Sequence, residues 1–158
     1  MYFKIQDDRN EIFYEKAASV YGRIDDQTSR EIFSNCLLYS LTGDPTYVRR
    51  NIDLTDAGRR FGELLRETSS RHPVIYGAGV RGRRLADLYP EIEWAGYCDR
   101  KAETKQINGL DVIPYSEIGK ISGKPVVVSN LMGYREISEQ LVNVGIPKEK
   151  IICLEDWN

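Results

Sequence analysis

The chain has 158 residues, 41% hydrophobic and 29% charged, with a net charge of −2 at neutral pH. That length suits one average domain, or a small domain with an appendage, and supplies enough apolar residues for a core. The near-neutral balance gives no global pull toward nucleic acid or an anionic membrane, and no stretch approaches membrane-spanning length.

Residues 1–70 read as a helical segment. The N-terminus, Met-Tyr-Phe-Lys-Ile-Gln-Asp-Asp, lacks the apolar run of a signal peptide, so a cytoplasmic location is expected. Asp7 or Asp8 can cap a first helix running to about Tyr21, with Phe13, Ala17 and Val20 on one face, ended by Gly22. Asp25-Asp26 opens a second helix. Its stripe pairs Ile32 with Cys36 and Phe33 with Leu37 and Leu41, and Gly43 and Pro45 stop it. A short third helix is expected over 46–52. A fourth begins at Thr55 or Asp56 and runs to about Thr68, with Phe61, Leu64 and Leu65 inward. The amphipathic helices are a candidate surface for a homodimer, or for a further domain downstream.

Residues 71–158 alternate strand and helix. Strands are expected near 73–77, 94–98, 126–129 and 151–154. A further one follows the Asn108-Gly109 turn, which reads as a hairpin signal. Helices are expected at 82–89, 115–120 and 133–144. The fold class is α/β: a single Rossmann-like parallel sheet of about five strands with helices on both faces, behind the helical segment.

The centre of this second unit is Val74-Ile75-Tyr76 running into Gly77-Ala78-Gly79-Val80-Arg81-Gly82, a G-x-G-x-x-G between a strand and a helix. In such a turn Gly77 permits the bend, Gly79 lets backbone approach a pyrophosphate, and Gly82 lets the helix sit close to the sheet. The amides of Gly79–Gly82 then face an anion. Asp99 ends the next strand, 20 residues after Gly79, where a carboxylate accepts from ribose hydroxyls. Arg100 beside it is placed to meet a base or a 2′-phosphate. Ser129 and Asn130 end a third strand and are candidates for a base, sugar or nicotinamide, or for a plain polar turn. The ligand is expected to be NAD(P) or a nucleotide-sugar. Residues 46–84 hold nine arginines against four acids, a net +5 that ends on the glycine turn. This reads either as a solvated helix face or as a positive rim around phosphate. Arg81, Arg83 and Arg84 belong to it.

Catalytic constellations are missing, so no reaction is assigned. His72 is the single histidine and precedes the first strand, at the end opposite the ligands. Tyr97 and Lys101 have Tyr-x-x-x-Lys spacing but fall on a strand and a loop, where residues four apart do not share a face. No P-loop is formed, since Gly82 is followed by Arg83. Cys36, Cys98 and Cys153 have no metal-type spacing and are expected to be free thiols in a reducing cytosol; no metal site is expected.

From Val74 onward the chain resembles a recurrent bacterial module. The likeness is carried by Ile75–Gly82, Ala95–Asp99, Asn108–Ile113, Val126–Asn130, Gln140-Leu141, Gly145-Ile146-Pro147 and Lys150-Ile151. Such modules precede acyltransferase, epimerase and methyltransferase domains in nucleotide-sugar and surface-polysaccharide enzymes. The run Asp26–Phe33, followed by Tyr39–Asp44, is similar to the helical lead-in of some FkbM-type methyltransferase proteins. The resemblance implies a nucleotide or nucleotide-sugar binding module, with Gly77, Gly79, Gly82 and Asp99 matching the motif. Two alternative readings stand beside it. One is a fragment of an NAD(P)-dependent oxidoreductase or epimerase. The other is a protein-interaction domain whose glycine turn is empty.

Overall fold

The three residues Val74-Ile75-Tyr76 are buried along their whole length, because apolar layers cover both faces of the strand they form. In the computed structural model, which describes residues 2–129 and 133–153, that strand is the centre of one sheet. The helices before it are α1 (Tyr2–Tyr21), α2 (Gln27–Thr42), α3 (Pro45–Asp53) and α4 (Asp56–Ser69). Then come β1 (Val74–Tyr76), α5 (Val80–Leu88), β2 (Gly96–Asp99), β3 (Gln106–Ile107) and β4 (Leu110–Pro114). A 3₁₀ segment (Tyr115–Ile121), β5 (Val126–Val128), α6 (Tyr134–Asn143), a short 3₁₀ turn (Lys148–Lys150) and β6 (Ile151–Cys153) complete the described elements. Among the described residues, no helix is long and apolar enough to cross a membrane.

The chain divides into two compact units, residues 1–51 and 52–158. In the first, Asp26 caps α2 by accepting from the Ser29 amide at 2.7 Å, and Gly43 ends the helix in the left-handed conformation. Asp44 accepts from the Thr46 amide, and Pro45 takes the first position of α3, where its missing N–H costs nothing. The buried Asn35 amide donates to Asn51 Oδ1 at 2.8 Å and so ties α2 to α3. Two expectations are corrected here. Helix α1 starts at Tyr2, so Asp7 and Asp8 lie within it and not at its cap. The fourth helix packs in the sheet unit, whereas the sequence pattern grouped it with the helical segment ending at residue 70.

The sheet unit has strand order β3-β4-β2-β1-β5-β6. Five strands run parallel and only β3 is antiparallel, joined to β4 by the Asn108-Gly109 turn. Both turn residues have positive φ, 51° and 80°, as a two-residue hairpin with the sheet's twist requires. The sheet is therefore mixed and six-stranded, not the five-stranded parallel sheet expected. The added strand is only two residues long and leaves no periodic pattern to read. Register explains the two layers. Ile75 lies opposite Tyr97 and Val127, and all three face a core with Phe61 and Leu65 of α4 and Leu85 of α5. Val74, Tyr76, Cys98, Val126 and Val128 face the other way, onto Leu141 of α6 and Ile118 and Ile121 of the 3₁₀ segment. Leu64, expected inward, is exposed, because neighbours on a helix point about 100° apart and Leu65 takes the core position.

Candidate functional site

Parallel strands aim their carboxyl ends at one edge, and the order of this sheet reverses at β1, between β2 on one side and β5 on the other. The glycine turn leaves β1 at that point. Gly77 has φ 102°, open to glycine and strained for other residues, and its amide donates to the Cys98 carbonyl at 2.8 Å. Gly82 is fixed by packing: a Cβ there would stand 1.9 Å from the Gly77 carbonyl oxygen. Gly79 is different. Nothing lies within 4 Å of a Cβ built on it, so it borders open space.

Helix α5 begins earlier than the pattern indicated, with Gly79 as its N-cap and Val80, Arg81 and Gly82 in its first turn. No side chain caps it, although the first amides of a helix have no partner within the helix itself. Val80 stands there 67% exposed, the most exposed large hydrophobic residue described.

Asp99 is turned toward this helix start. Its Oδ2 accepts from the Ala78 amide at 2.6 Å and its Oδ1 from the Lys101 amide at 2.7 Å. A carboxylate has about four acceptor positions, so roughly two are left for hydroxyl donors. The structure thus brings together Gly77, Ala78, Gly79, Val80, Arg81, Gly82 and Asp99. Two clefts meet at Asp99 and Lys101. One, of about 450 Å³, is bounded by Ala78, Gly79, Arg83, Thr104 and Val112. The other, of about 400 Å³, is bounded by Tyr76, Gly77, Arg100, Glu136 and Gln140.

Arg100 belongs to the second cleft. Its Nε donates to the Tyr76 hydroxyl at 3.1 Å, and its guanidinium lies 5.7 Å from the centre of the Tyr115 ring. Burial pushes the Tyr76 phenol above its ordinary pKa, and the Arg100 bond offsets part of that. Ser129 is buried behind the turn, its hydroxyl donating to the Tyr76 carbonyl at 3.3 Å. Asn130 lies outside the described residues. Burial, with the Asp99 charge nearby, pushes the Cys98 thiol up to about 11.

The Tyr-x-x-x-Lys spacing forms no pair: Tyr97 is fully buried in the core and Lys101 is exposed on the loop beyond β2. His72 sits at the opposite end of β1, 3.3 Å from Glu93 and exposed. Among the described residues, no three His, Cys, Asp or Glu side chains gather as a metal site. The sequence pattern did not single out Tyr76, which lines the second cleft, or Tyr115, which packs against Tyr76 and Arg100 behind it. Each ends or directly follows a parallel strand, β1 and β4, and that position was the available signal.

No curated protein matches the chain. Residues 69–152, which run from the end of α4 into β6, match the family model described as C2185-like, N-terminal. The match spans more than half of the sequence, and the chain belongs to the C2185-like N-terminal family.

Proposed function

We propose that residues 52–158 form a Rossmann-like module that binds a nucleotide, either a nucleotide-sugar or NAD(P). The observation that carries this reading is the N-cap glycine of α5, Gly79, which borders open space beside the fixed carboxylate of Asp99. Phosphate would take the amides of the first turn, where the helix dipole favours an anion, and Asp99 would accept from a ribose hydroxyl. Counted over its parallel strands alone, the sheet order is 3-2-1-4-5, as in dinucleotide-binding folds, which supports the same reading. The cleft on the Gly79 side would receive the base, between Ala78 and Val112. The resemblance of the strand and turn residues to modules of surface-polysaccharide enzymes supports a place beside such an enzyme in the cytoplasm. No reaction is assigned to these residues.

A thermal-shift panel of NAD, NADP and UDP-, CDP- and GDP-sugars tests the reading. A ligand at about 100 times its Kd stabilises by about 2.7 kcal/mol, a rise in Tm of several degrees at this chain length. Gly79→Arg fills the open space without a clash and should abolish the shift while the melt of the free protein is kept. An intact shift in that variant, or no shift with any of these compounds, refutes the site.

A further inference from the structure

The second cleft differs in chemistry from the first. Arg100 borders it and is held on two sides: its Nε donates to the Tyr76 hydroxyl, and its guanidinium lies against the Tyr115 ring. The Tyr76 and Tyr115 rings in turn meet edge to face, with centroids 6.3 Å apart. These residues come from β1, the loop after β2 and the start of the 3₁₀ segment, so the folded sheet fixes the cation before a ligand arrives. The outer guanidinium nitrogens carry about four more N–H donors, and they make no hydrogen bond among the described residues. Helix α6 forms another wall, with Glu136 and Gln140 one turn apart on it. Gln140 is half-buried, and its covered Oε1 has no hydrogen-bond partner, a costly state for an acceptor. Asp99 and Lys101 bring the charged lining to two groups of each sign, and Ile137 is the one aliphatic side chain among the described lining residues.

We propose that this cleft receives the far end of the nucleotide, and that this end is an uncharged ring rich in hydroxyls: the ligand is a nucleoside diphosphate joined to a neutral sugar. The inference rests on the nucleotide reading above and narrows it. A hydroxyl both donates and accepts, and the lining answers both, with Arg100 donating and Glu136 and Gln140 accepting. A sugar hydroxyl entering beside Gln140 would also pair its orphaned oxygen. An acidic sugar would bring its carboxylate against Glu136 and Asp99. Nicotinamide would bring a flat cationic ring toward Arg100 and Lys101, into a cleft without the apolar walls that such rings favour. The connection between the ends is also present. The two clefts share Asp99 and Lys101, and Gly77 borders one while Gly79 borders the other. A diphosphate lying along the glycine turn would therefore place nucleoside and sugar in separate clefts.

The test is titration calorimetry on the full chain with UDP, GDP and CDP, each alone, as its glucose ester and as its glucuronate ester, and with NAD. At least one glucose ester should bind about tenfold or more tighter than its own diphosphate, and tighter than NAD or the matching glucuronate ester. The ratio of the diphosphate Kd to the glucose-ester Kd then serves as the readout for variants, because a general loss of binding cancels in it. Gln140→Leu removes the unpaired acceptor without changing charge, and Arg100→Leu removes the fixed donor. Each should shrink the ratio at least about threefold, the effect of one lost hydrogen bond. Arg100 is exposed, so its variant decides the matter even if Gln140→Leu does not fold. A ratio unmoved in every folded variant overturns the proposal. So does a glucose ester that binds no tighter than its diphosphate, or more weakly than NAD or the glucuronate ester; the nucleotide site survives those results. Failure of all these compounds to bind refutes the nucleotide site itself, and the sugar cleft with it.

Discussion

A methyl group added at Gly82 would meet the Gly77 carbonyl oxygen at 1.9 Å, and one added at Gly79 would meet nothing. Two glycines three residues apart therefore have opposite tolerances. Gly82→Ala must push α5 off the turn and should cost about 1–3 kcal/mol by denaturant titration. Gly79→Ala should leave stability within about 0.5 kcal/mol. Cys98 makes a second residue-scale case. Its thiol is raised from 9.0 to about 11, so the folded state holds the neutral form more tightly than the unfolded chain does. Stability is then complete below pH 9 and is lost as pH climbs through about 11, on the order of 2 kcal/mol in all. The Cys98→Ala variant should show a flatter loss between those limits. The slope will not vanish, since burial also raises Tyr76 and Tyr97.

At the scale of elements, start and stop signals settle most boundaries. Thr55 accepts from the Gly58 amide at 3.0 Å and donates to the Ile52 carbonyl at 2.9 Å, so its hydroxyl both begins α4 and ties it to the turn before it. Thr55→Ala should cost about 1 kcal/mol, read as a fall in Tm of about 2–4 °C. Such signals were legible because each is local: Asp26, Thr55 and the Asn108-Gly109 turn act within three residues of themselves. The strand β1 and the glycine turn were legible for the same reason. The Tyr76–Arg100–Tyr115 cluster was not, because its members lie on three segments that only the finished sheet brings together. Leu64 and Leu65 show another limit. Both fit an apolar stripe, and the choice between them depends on how α4 is rotated against the sheet.

For the whole molecule, the apolar core is unevenly shared. Every buried hydrophobic side chain among the described residues lies between Ile52 and Ile152, none between residues 11 and 51. Local opening free energies follow that distribution. Amide hydrogen exchange should be slowest in β1 and β5, whose residues are completely buried or nearly so, and much faster in α2 of the isolated chain. Comparable protection of α2 and β1 at low protein concentration would contradict this.

The two amide bonds to Asp99 have a kinetic consequence. They fix the carboxylate before any guest arrives, so its rotational freedom is spent during folding and not during capture. On the proposed nucleotide-binding reading, association should then be a single step whose observed rate rises linearly with nucleotide concentration, with no plateau from a slow rearrangement of the turn. Asp99→Gly would free both loops from that tether, and a saturating rate should take the place of the straight line.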